Sequence, residues 1–400
     1  MTTPTQIAED LATTFAERAA EHDVPAAFPR ADVDDLRRSG LLGLLVPVEQ
    51  GGMGGGFADY VAVAQLLARG AGSTALLFNM HASVTGSLAA VPEDLARSLG
   101  ATDGFFAHRE KVLTAAAQGA MYGVAITERE AGSRLSAMQT TYARNGDGYR
   151  VVGHKSVCSG AGHLDQYLVA ARAAPEHGGT DDQPRVSHFL VPAGAGIEVA
   201  DTWDPHGMRA TASNSMTLDV CVPADALLGG VEGLAVILSH VMPQWLVASY
   251  AAVYVGVARA AVDEAARYLG ERVVTGERGG LRHVGFVRSR VGRADADVEA
   301  ARLVLEDAAR RIDAAPGDPE TNRAVYRAKL LAGDTAAAVA ASMTETCGLG
   351  ALRRGSTLER ILRDARSGPL MPPSSDVAAD VLGTAALGLD PFDGTDITPW

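Results

Sequence analysis

The stretch ITEREAGS, residues Ile126–Ser133, follows a short apolar run that begins at Met121. It places small residues beside hydroxyl groups, with Thr127 near its start and Gly132 before the final serine. Small residues let the backbone approach a flat ligand closely, and hydroxyl groups can hydrogen-bond the edge of that ligand. By itself the stretch predicts a turn that could face a planar molecule, so its meaning depends on what flanks it.

Helical patterns lie on both sides of this stretch, and strand patterns follow it directly. Before residue 121 apolar residues recur at helical spacing, as in Ile7, Leu11, Phe15 and Ala19. Short alternating segments between turn residues then predict strands, and long apolar helices return after about residue 233. We therefore predict an α+β multidomain protein with an N-terminal helical domain (1–120), a middle β-barrel or sandwich domain (121–230) and a C-terminal helical domain (231–400).

Composition and charge exclude several kinds of function. The chain has 400 residues and a formal net charge of −13. Nucleic-acid binding needs clustered positive charge, so we expect no such partner. The three cysteines form no CxxC pair and lie near no histidine at zinc-ligand spacing. This predicts neither a disulfide scaffold nor a metal site, and it indicates a cytoplasmic location. We expect no signal peptide and no membrane span, because neither pattern occurs.

Five motifs occur in the order typical of the acyl-CoA dehydrogenase superfamily, and the chain resembles that family from about Leu41 to Leu387. The motifs lie at residues 40–52, 126–133, 153–160, 207–223 and 358–366. The resemblance implies that 126–133 and 153–160 face the flavin, and we call them the first and second flavin loops. The resemblance implies a C-terminal four-helix bundle and FAD as cofactor. It also implies a homotetramer or homodimer in which one subunit completes the flavin site of its neighbour.

The resemblance assigns contacts to individual residues. Thr127 would hydrogen-bond near the reactive edge of the flavin, and Ser159 would keep a hydroxyl where the family usually has threonine. Each also has a structural interpretation as a turn residue. The implied cofactor contacts are Ile126, Thr127, Ser133, Val157, Ser159, Arg272 and Gly348, and the implied substrate contacts are Ser133 and Arg209.

Several positions depart from the family pattern. Val157 stands where a tryptophan usually covers the flavin, and residues 273–276 keep only the glycine of an aromatic motif. By this resemblance, Pro372 stands at the position of the usual catalytic glutamate. Leu246, or a near neighbour within residues 244–247, stands at the earlier position that a minority of the family uses. Neither side chain can accept a proton, so abstraction of the proton α to a thioester lacks its usual base.

Three other residues are candidate bases, and each has a structural interpretation as well. Asp376 is the nearest acid to Pro372, but it also lies in an N-cap pattern before an apolar run. His81 lies on an apolar helix, where a histidine is more often a hydrogen-bonded core residue. Glu128 belongs to the first flavin loop and is expected to be structural.

Three functions agree with this pattern. The principal hypothesis is FAD-dependent α,β-dehydrogenation of an acyl thioester, carried on CoA or on an acyl carrier protein, with a displaced or missing base. The alternative is a flavin monooxygenase on the same fold, which hydroxylates through a C4a-hydroperoxyflavin and takes reduced flavin from a separate reductase. The Ser159-Gly160 pair resembles the monooxygenase version of the second flavin loop. The third is a flavoprotein fold kept only for binding.

Overall fold

The structure, a computed structural model, describes residues 2–180, 184–272 and 280–390, apart from the side chains of residues 237, 238, 240 and 241. The described chain begins with helices at Pro4–Asp23 (α1), Arg30–Ser39 (α2), Phe57–Gly70 (α3), Gly72–Ala90 (α4), Glu93–Ser98 (α5) and Asp103–Ala117 (α6). Helix α1 begins at a proline, whose fixed φ suits the first helical turn, and the Thr3 hydroxyl before it accepts the Gln6 N–H. Helix α4 is buried along nearly its whole length, which places it at the centre of the fold.

A single mixed sheet follows. Its described strands are Tyr122–Ala125 (β1), Thr141–Asn145 (β2), Gly148–Cys158 (β3), Gln166–Ala173 (β4), Val186–Pro192 (β5), Ile197–Ala200 (β6) and Asn214–Pro223 (β7). The spatial order is β1-β4-β2-β3-β7-β6, with β5 also paired to β4. Strands β1 and β4 are parallel, and β3 and β7 are antiparallel. The first flavin loop leaves the end of β1, and the second lies at the end of β3.

The last group of described helices packs against the sheet and against the first group. Its bounds are Leu234–Val241 (α7), Ala248–Glu271 (α8), Gly285–Ala314 (α9), Pro319–Cys347 (α10), Thr357–Ala365 (α11) and Ser375–Ala386 (α12). Helix α10 packs against α8, α9, α11 and α12. Helix α3 packs against α8 and α9, so the N-terminal and C-terminal helices share a core.

The predicted order of helices, sheet and helices is confirmed. The division at residues 120 and 230 stays a prediction, and no described helix or strand crosses either position. One helical stretch, Pro243–Glu271, has the length and apolar character of a membrane span. Its most apolar window is 89% buried within the fold, as in the core helix of a globular protein.

Candidate active site

A cavity between the sheet and the C-terminal helices brings the two predicted flavin loops together. Ile126, Thr127 and Ser133 of the first loop line it, as do Val157 and Ser159 of the second. Helices α4 and α8 and two loops near residues 208 and 371 complete its walls. We call this space the first cavity.

A buried ion pair fixes the first loop to the sheet. The Lys155 Nζ donates to Glu128 Oε1 at 2.8 Å and to the Ile126 carbonyl at 3.2 Å. Glu128 also accepts the backbone N–H groups of Gln139 and Thr140, at 2.6 and 2.9 Å. Burial lowers the pKa of Lys155 to about 8, an effect that Glu128 opposes. Burial acts to raise the pKa of Glu128, but Lys155 and the backbone donors outweigh it and the pKa lies below its usual value. Glu128 is therefore a structural anion rather than a base at neutral pH.

The second loop lies where the pairing of β3 with β7 becomes irregular. Val157 adopts a φ of +55°, which is rare for a β-branched residue, and its side chain is 51% exposed. The buried Ser159 Oγ lies 3.0 Å from Ser213 Oγ, which lies 2.7 Å from Thr211 Oγ1. Backbone strain of this kind clusters at functional sites, and here the strained residue lies in the cavity wall.

Helix α11 holds the loop that forms a third wall. Asp364 Oδ1 accepts the Met208 N–H at 2.6 Å, and Met208 itself lies at a φ of +54°. Gly207 comes so near the helix that an added Cβ would lie 2.1 Å from the Arg363 carbonyl oxygen. The C-terminal motif at 358–366 therefore shapes the cavity without lining it.

The lining fits a planar cofactor with a polar edge. Such a ring needs apolar surfaces over its faces and a few hydrogen-bonding groups along its rim. The wall offers the hydroxyl-bearing Thr127, Ser133 and Ser159 beside apolar side chains such as Val157 and Leu135. Within the part of the chain that the structure describes, no Asp, Glu, His, Lys or Arg lines the cavity.

Both positions at which the sequence resemblance predicts a catalytic glutamate reach this cavity. Pro372 and Leu246 line its wall, and neither can accept a proton. Tyr250 is the one titratable side chain in the lining formed by described residues. Burial raises the pKa of Tyr250 to about 12, so its hydroxyl is neutral at physiological pH.

The other two candidate bases lie outside the cavity lining. His81 Nε2 lies 2.7 Å from the Leu42 carbonyl oxygen, and Nδ1 accepts the Tyr122 N–H at 3.2 Å. Burial lowers the pKa of His81 to about 4, so the ring is neutral with both nitrogens engaged. Asp376 lies in the first turn of α12, which Ser374 caps. The structure thus favours the core and capping interpretations of these residues.

Three predicted contacts lie apart from the first cavity. Arg272 Nη1 donates to Tyr268 OH at 2.6 Å and to the carbonyl of Cys347, next to Gly348, at 3.3 Å. Arg272 and Gly348 are therefore neighbours, but neither lines the cavity of their own chain. Arg209 is held by backbone carbonyls beside another surface hollow. Residues 273–276 lie outside the described residues.

Sequence interpretation missed a set of lining residues from distant segments: Leu76, Met80, Trp203, Tyr250 and Met371. Periodicity gave no indication of which face of α4 meets the cavity, because this helix is buried on nearly all sides. For Trp203, the nearby motif that begins at Gly207 could have indicated a position in the cavity wall. Trp203 Nε1 donates to the carbonyl of Met208, within that motif, at 3.3 Å.

Models of the three acyl-CoA dehydrogenase domains match the chain in order. The N-terminal domain matches residues 5–91, the middle domain 123–221 and the C-terminal domain 248–369. The chain is also 30% identical over 380 residues to the cyclohex-1-ene-1-carbonyl-CoA dehydrogenase of Geobacter metallireducens. That alignment covers 93% of this chain and 94% of the relative.

Two solved structures share the whole fold. The dibenzothiophene monooxygenase TdsC of Paenibacillus sp. A11-2, with FMN bound, has a TM-score of 0.84 and 26% identity, covering 96% of this chain and 97% of TdsC. Butyryl-CoA dehydrogenase of Megasphaera elsdenii has a TM-score of 0.82 and 24% identity, covering 97% and 99% of the two chains. These matches confirm the resemblance seen in the sequence and the prediction of a flavin cofactor. The chain therefore belongs to the acyl-CoA dehydrogenase family of flavin-dependent oxidoreductases.

Proposed function

We propose that the chain is a flavin-dependent monooxygenase that transfers one oxygen atom to an uncharged organic substrate. The observation that carries this proposal is the lining of the first cavity, where the described residues include no Asp, Glu, His, Lys or Arg. Dehydrogenation of a thioester needs a base within hydrogen-bond reach of the α-proton, whereas oxygen transfer does not. We therefore rank the monooxygenase above the dehydrogenase that the sequence alone favoured.

In this proposal the two loops hold the cofactor and the apolar walls exclude water. Valine in place of tryptophan at position 157 leaves room for a substrate beside the ring. When bound, reduced flavin supplies two electrons to dioxygen, so that one oxygen atom enters the substrate and the other leaves as water. Exclusion of bulk water protects such reactive chemistry from side reactions. The proposed cofactor contacts are Ile126, Thr127, Ser133, Val157 and Ser159.

The likeness to TdsC supports this reading, because TdsC is a monooxygenase with the same fold at 26% identity. We propose FAD as the flavin here, as the family resemblance implies. TdsC binds FMN, so extraction and chromatography of the bound flavin would distinguish the two. A separate reductase would supply the reduced flavin, and we expect the protein to work in the cytoplasm.

We further propose that the protein is a homotetramer or homodimer. Arg272 and Gly348 lie together but away from the first cavity of their own chain. In an assembly where each subunit completes its neighbour's site, they would contact the phosphates of the neighbour's cofactor. The forked donors of arginine suit that role.

A second candidate function is α,β-dehydrogenation of an acyl thioester on CoA or a carrier protein. The 30% identity to cyclohex-1-ene-1-carbonyl-CoA dehydrogenase favours it. Ser133 and Arg209 would then contact the thioester arm, and a base would have to approach from outside the observed lining. Asp376 is the nearest acid in sequence to Pro372, so full thioester-dependent activity in Asp376→Asn would remove it as that base.

One pair of experiments on the purified protein separates the two functions. With reduced flavin and ¹⁸O₂, a panel of uncharged aromatic sulfur and nitrogen compounds should yield a product that carries one ¹⁸O atom. Without oxygen, neither butyryl-CoA nor cyclohex-1-ene-1-carbonyl-CoA should bleach the oxidised flavin. Rapid anaerobic bleaching by a thioester, with no ¹⁸O incorporated from any compound, would overturn the monooxygenase proposal.

A further inference from the structure

A second cavity adjoins the first, and the two share Ser239 and Leu246 in their walls. We call it the second chamber. It lies among α4, α5, α6, α7, the neighbouring strands β4 and β5, and the segment before α8. Its wall is mostly apolar, and the main contributors are Val84, Leu88, Leu99, Phe105, Leu168 and Leu228.

Among the described residues, four polar side chains line the second chamber, and they differ in their hydrogen bonding. The Ser87 hydroxyl donates to the Ser83 carbonyl at 2.6 Å, and the Ser239 hydroxyl donates to a carbonyl of its own helix at 2.8 Å. Trp245 Nε1 and His188 Nε2 are both buried and have no hydrogen-bond partner among the described residues. A buried donor without an acceptor costs about 1–3 kcal/mol, so such a group beside a cavity indicates a place for a ligand atom.

The fold fixes the Trp245 ring in place. Its carbonyl oxygen accepts the hydroxyls of Ser83 and Ser249 at 2.6 and 2.8 Å. Its ring packs edge-on against Phe57, with the ring centroids 4.8 Å apart. Gly86 leaves space for the indole, because an added Cβ there would lie 2.4 Å from the ring. The indole N–H is therefore a rigid donor, and a ligand must adapt to it.

We propose that the second chamber binds the body of an uncharged substrate and that the Trp245 N–H donates a hydrogen bond to a carbonyl or hydroxyl oxygen of that substrate. Its reacting atom would lie in the first cavity, beyond Leu246. The nature of the reaction rests on the function proposed above, but the binding does not.

The charge of the lining limits the ligands that fit. Within the described residues the second chamber contains no Lys, Arg, Asp or Glu. Burial lowers the pKa of His188 to about 4, so its imidazole is neutral at physiological pH. A carboxylate or phosphate buried there would have no counter-charge, which makes its transfer from water unfavourable. His188 Nε2 would be available to a hydroxyl or amide of the ligand.

A pair of probes with the same shape tests the donor. Acetophenone carries a carbonyl oxygen where α-methylstyrene carries a methylene group. We expect the flavin-loaded protein to bind acetophenone at least tenfold more tightly, as measured by titration calorimetry, and to show no binding of benzoate. In Trp245→Phe, which keeps a ring but lacks the N–H, acetophenone should bind about tenfold more weakly, whereas α-methylstyrene should stay within twofold.

A matched pair of substitutions on one helix tests the location. Leu99, at the end of α5, lines the second chamber and is 40% exposed, whereas Leu95 on the same helix is 42% exposed and does not line it. Because both positions are partly exposed, either should accept tryptophan without loss of folding. We expect Leu99→Trp to weaken binding of both probes at least tenfold and Leu95→Trp to leave it unchanged.

The outcomes distinguish this inference from the function proposed above. Absence of binding by both probes, equal binding of the two, or equal effects at positions 95 and 99 would overturn the second chamber as a substrate site. The expected binding pattern in a protein that incorporates no ¹⁸O would overturn the monooxygenase alone.

Discussion

Burial decides which of the titratable residues in this chain are available for chemistry. Glu128 and His81 both looked like possible bases, because sequence shows a side chain but not its partners. The structure engages the first with Lys155 and the second with two backbone groups. Thr127 and Ser159 line one cavity, since the motifs that contain them also specify the local backbone, and their contact with a flavin stays a prediction.

The Lys155–Glu128 pair provides a prediction about stability. Lys155→Met leaves the Glu128 carboxylate buried without its counter-charge, and we expect a loss of about 3–5 kcal/mol in unfolding free energy. The control is Arg150→Met on the same strand, which breaks an exposed pair with Asp219 and should cost at most about 1 kcal/mol. Urea denaturation of the two variants measures both values. Equal losses would show that the buried pair has no special role in stability.

His81 provides a prediction about pH. Its folded-state pKa of about 4 lies below the ordinary value of 6.5, so the unfolded chain binds the proton more readily. The stabilising contribution is therefore complete above pH 6.5 and is lost as the pH falls towards 4, by about 3 kcal/mol in all. We expect His81→Gln to flatten this acidic limb, measured by urea denaturation across that range. His154→Gln, at an exposed position, is the control for removal of a surface histidine. Parallel curves for His81→Gln and wild type would contradict the assignment.

At the level of elements, long helices with a regular apolar pattern can be predicted from the sequence, whereas very short strands cannot. Helix α10, Pro319–Cys347, is one of the long apolar helices predicted after residue 233, because its apolar residues recur at helical spacing over many turns. Strands β1, β2 and β6 have only four or five residues, too few for a clear alternation. The pairing of β1 with β4 joins segments that are distant in sequence, so no local pattern specifies it.

Two glycines, one in the loop beside α11 and one inside α9, should respond oppositely to the same substitution. In Gly207→Ala the new Cβ would lie 2.1 Å from the Arg363 carbonyl, which must push the 207–213 loop away from α11. We expect lower thermal stability and at least tenfold weaker flavin binding, measured by fluorescence. Gly292→Ala lies within α9, where nothing is within 4 Å of the new atom, and should add about 0.5–1 kcal/mol of stability. Unchanged flavin affinity in Gly207→Ala would show that α11 does not position the cavity wall.

At the level of the whole molecule, the first cavity is assembled from all three sequence regions. The motif order predicted this architecture, including the absence of a carboxylate at positions 246 and 372. The second chamber was not predictable from the sequence, because its walls come from at least six separate segments. Arg272 and Gly348 are predicted cofactor contacts, but within one chain neither lines the first cavity.

Assembly of several subunits would explain both that separation and an exposed apolar turn beside it. Leu349 directly follows Gly348 and is 86% exposed, and Leu352 in the same turn is 51% exposed. Large exposed apolar side chains of this kind often mark protein interfaces. We expect the wild-type protein to elute as a dimer or tetramer in size-exclusion chromatography with light scattering, and Leu349→Asp to shift it towards the monomer. Because Arg272 lies beside this turn, the same variant should also lose flavin. The control is Val48→Asp, at a 68% exposed position distant from this turn in sequence, which should change neither the oligomeric state nor flavin binding. A monomeric wild type that holds flavin, or a monomeric Leu349→Asp variant that holds flavin as tightly as the wild type, would remove the neighbouring subunit from the cofactor site.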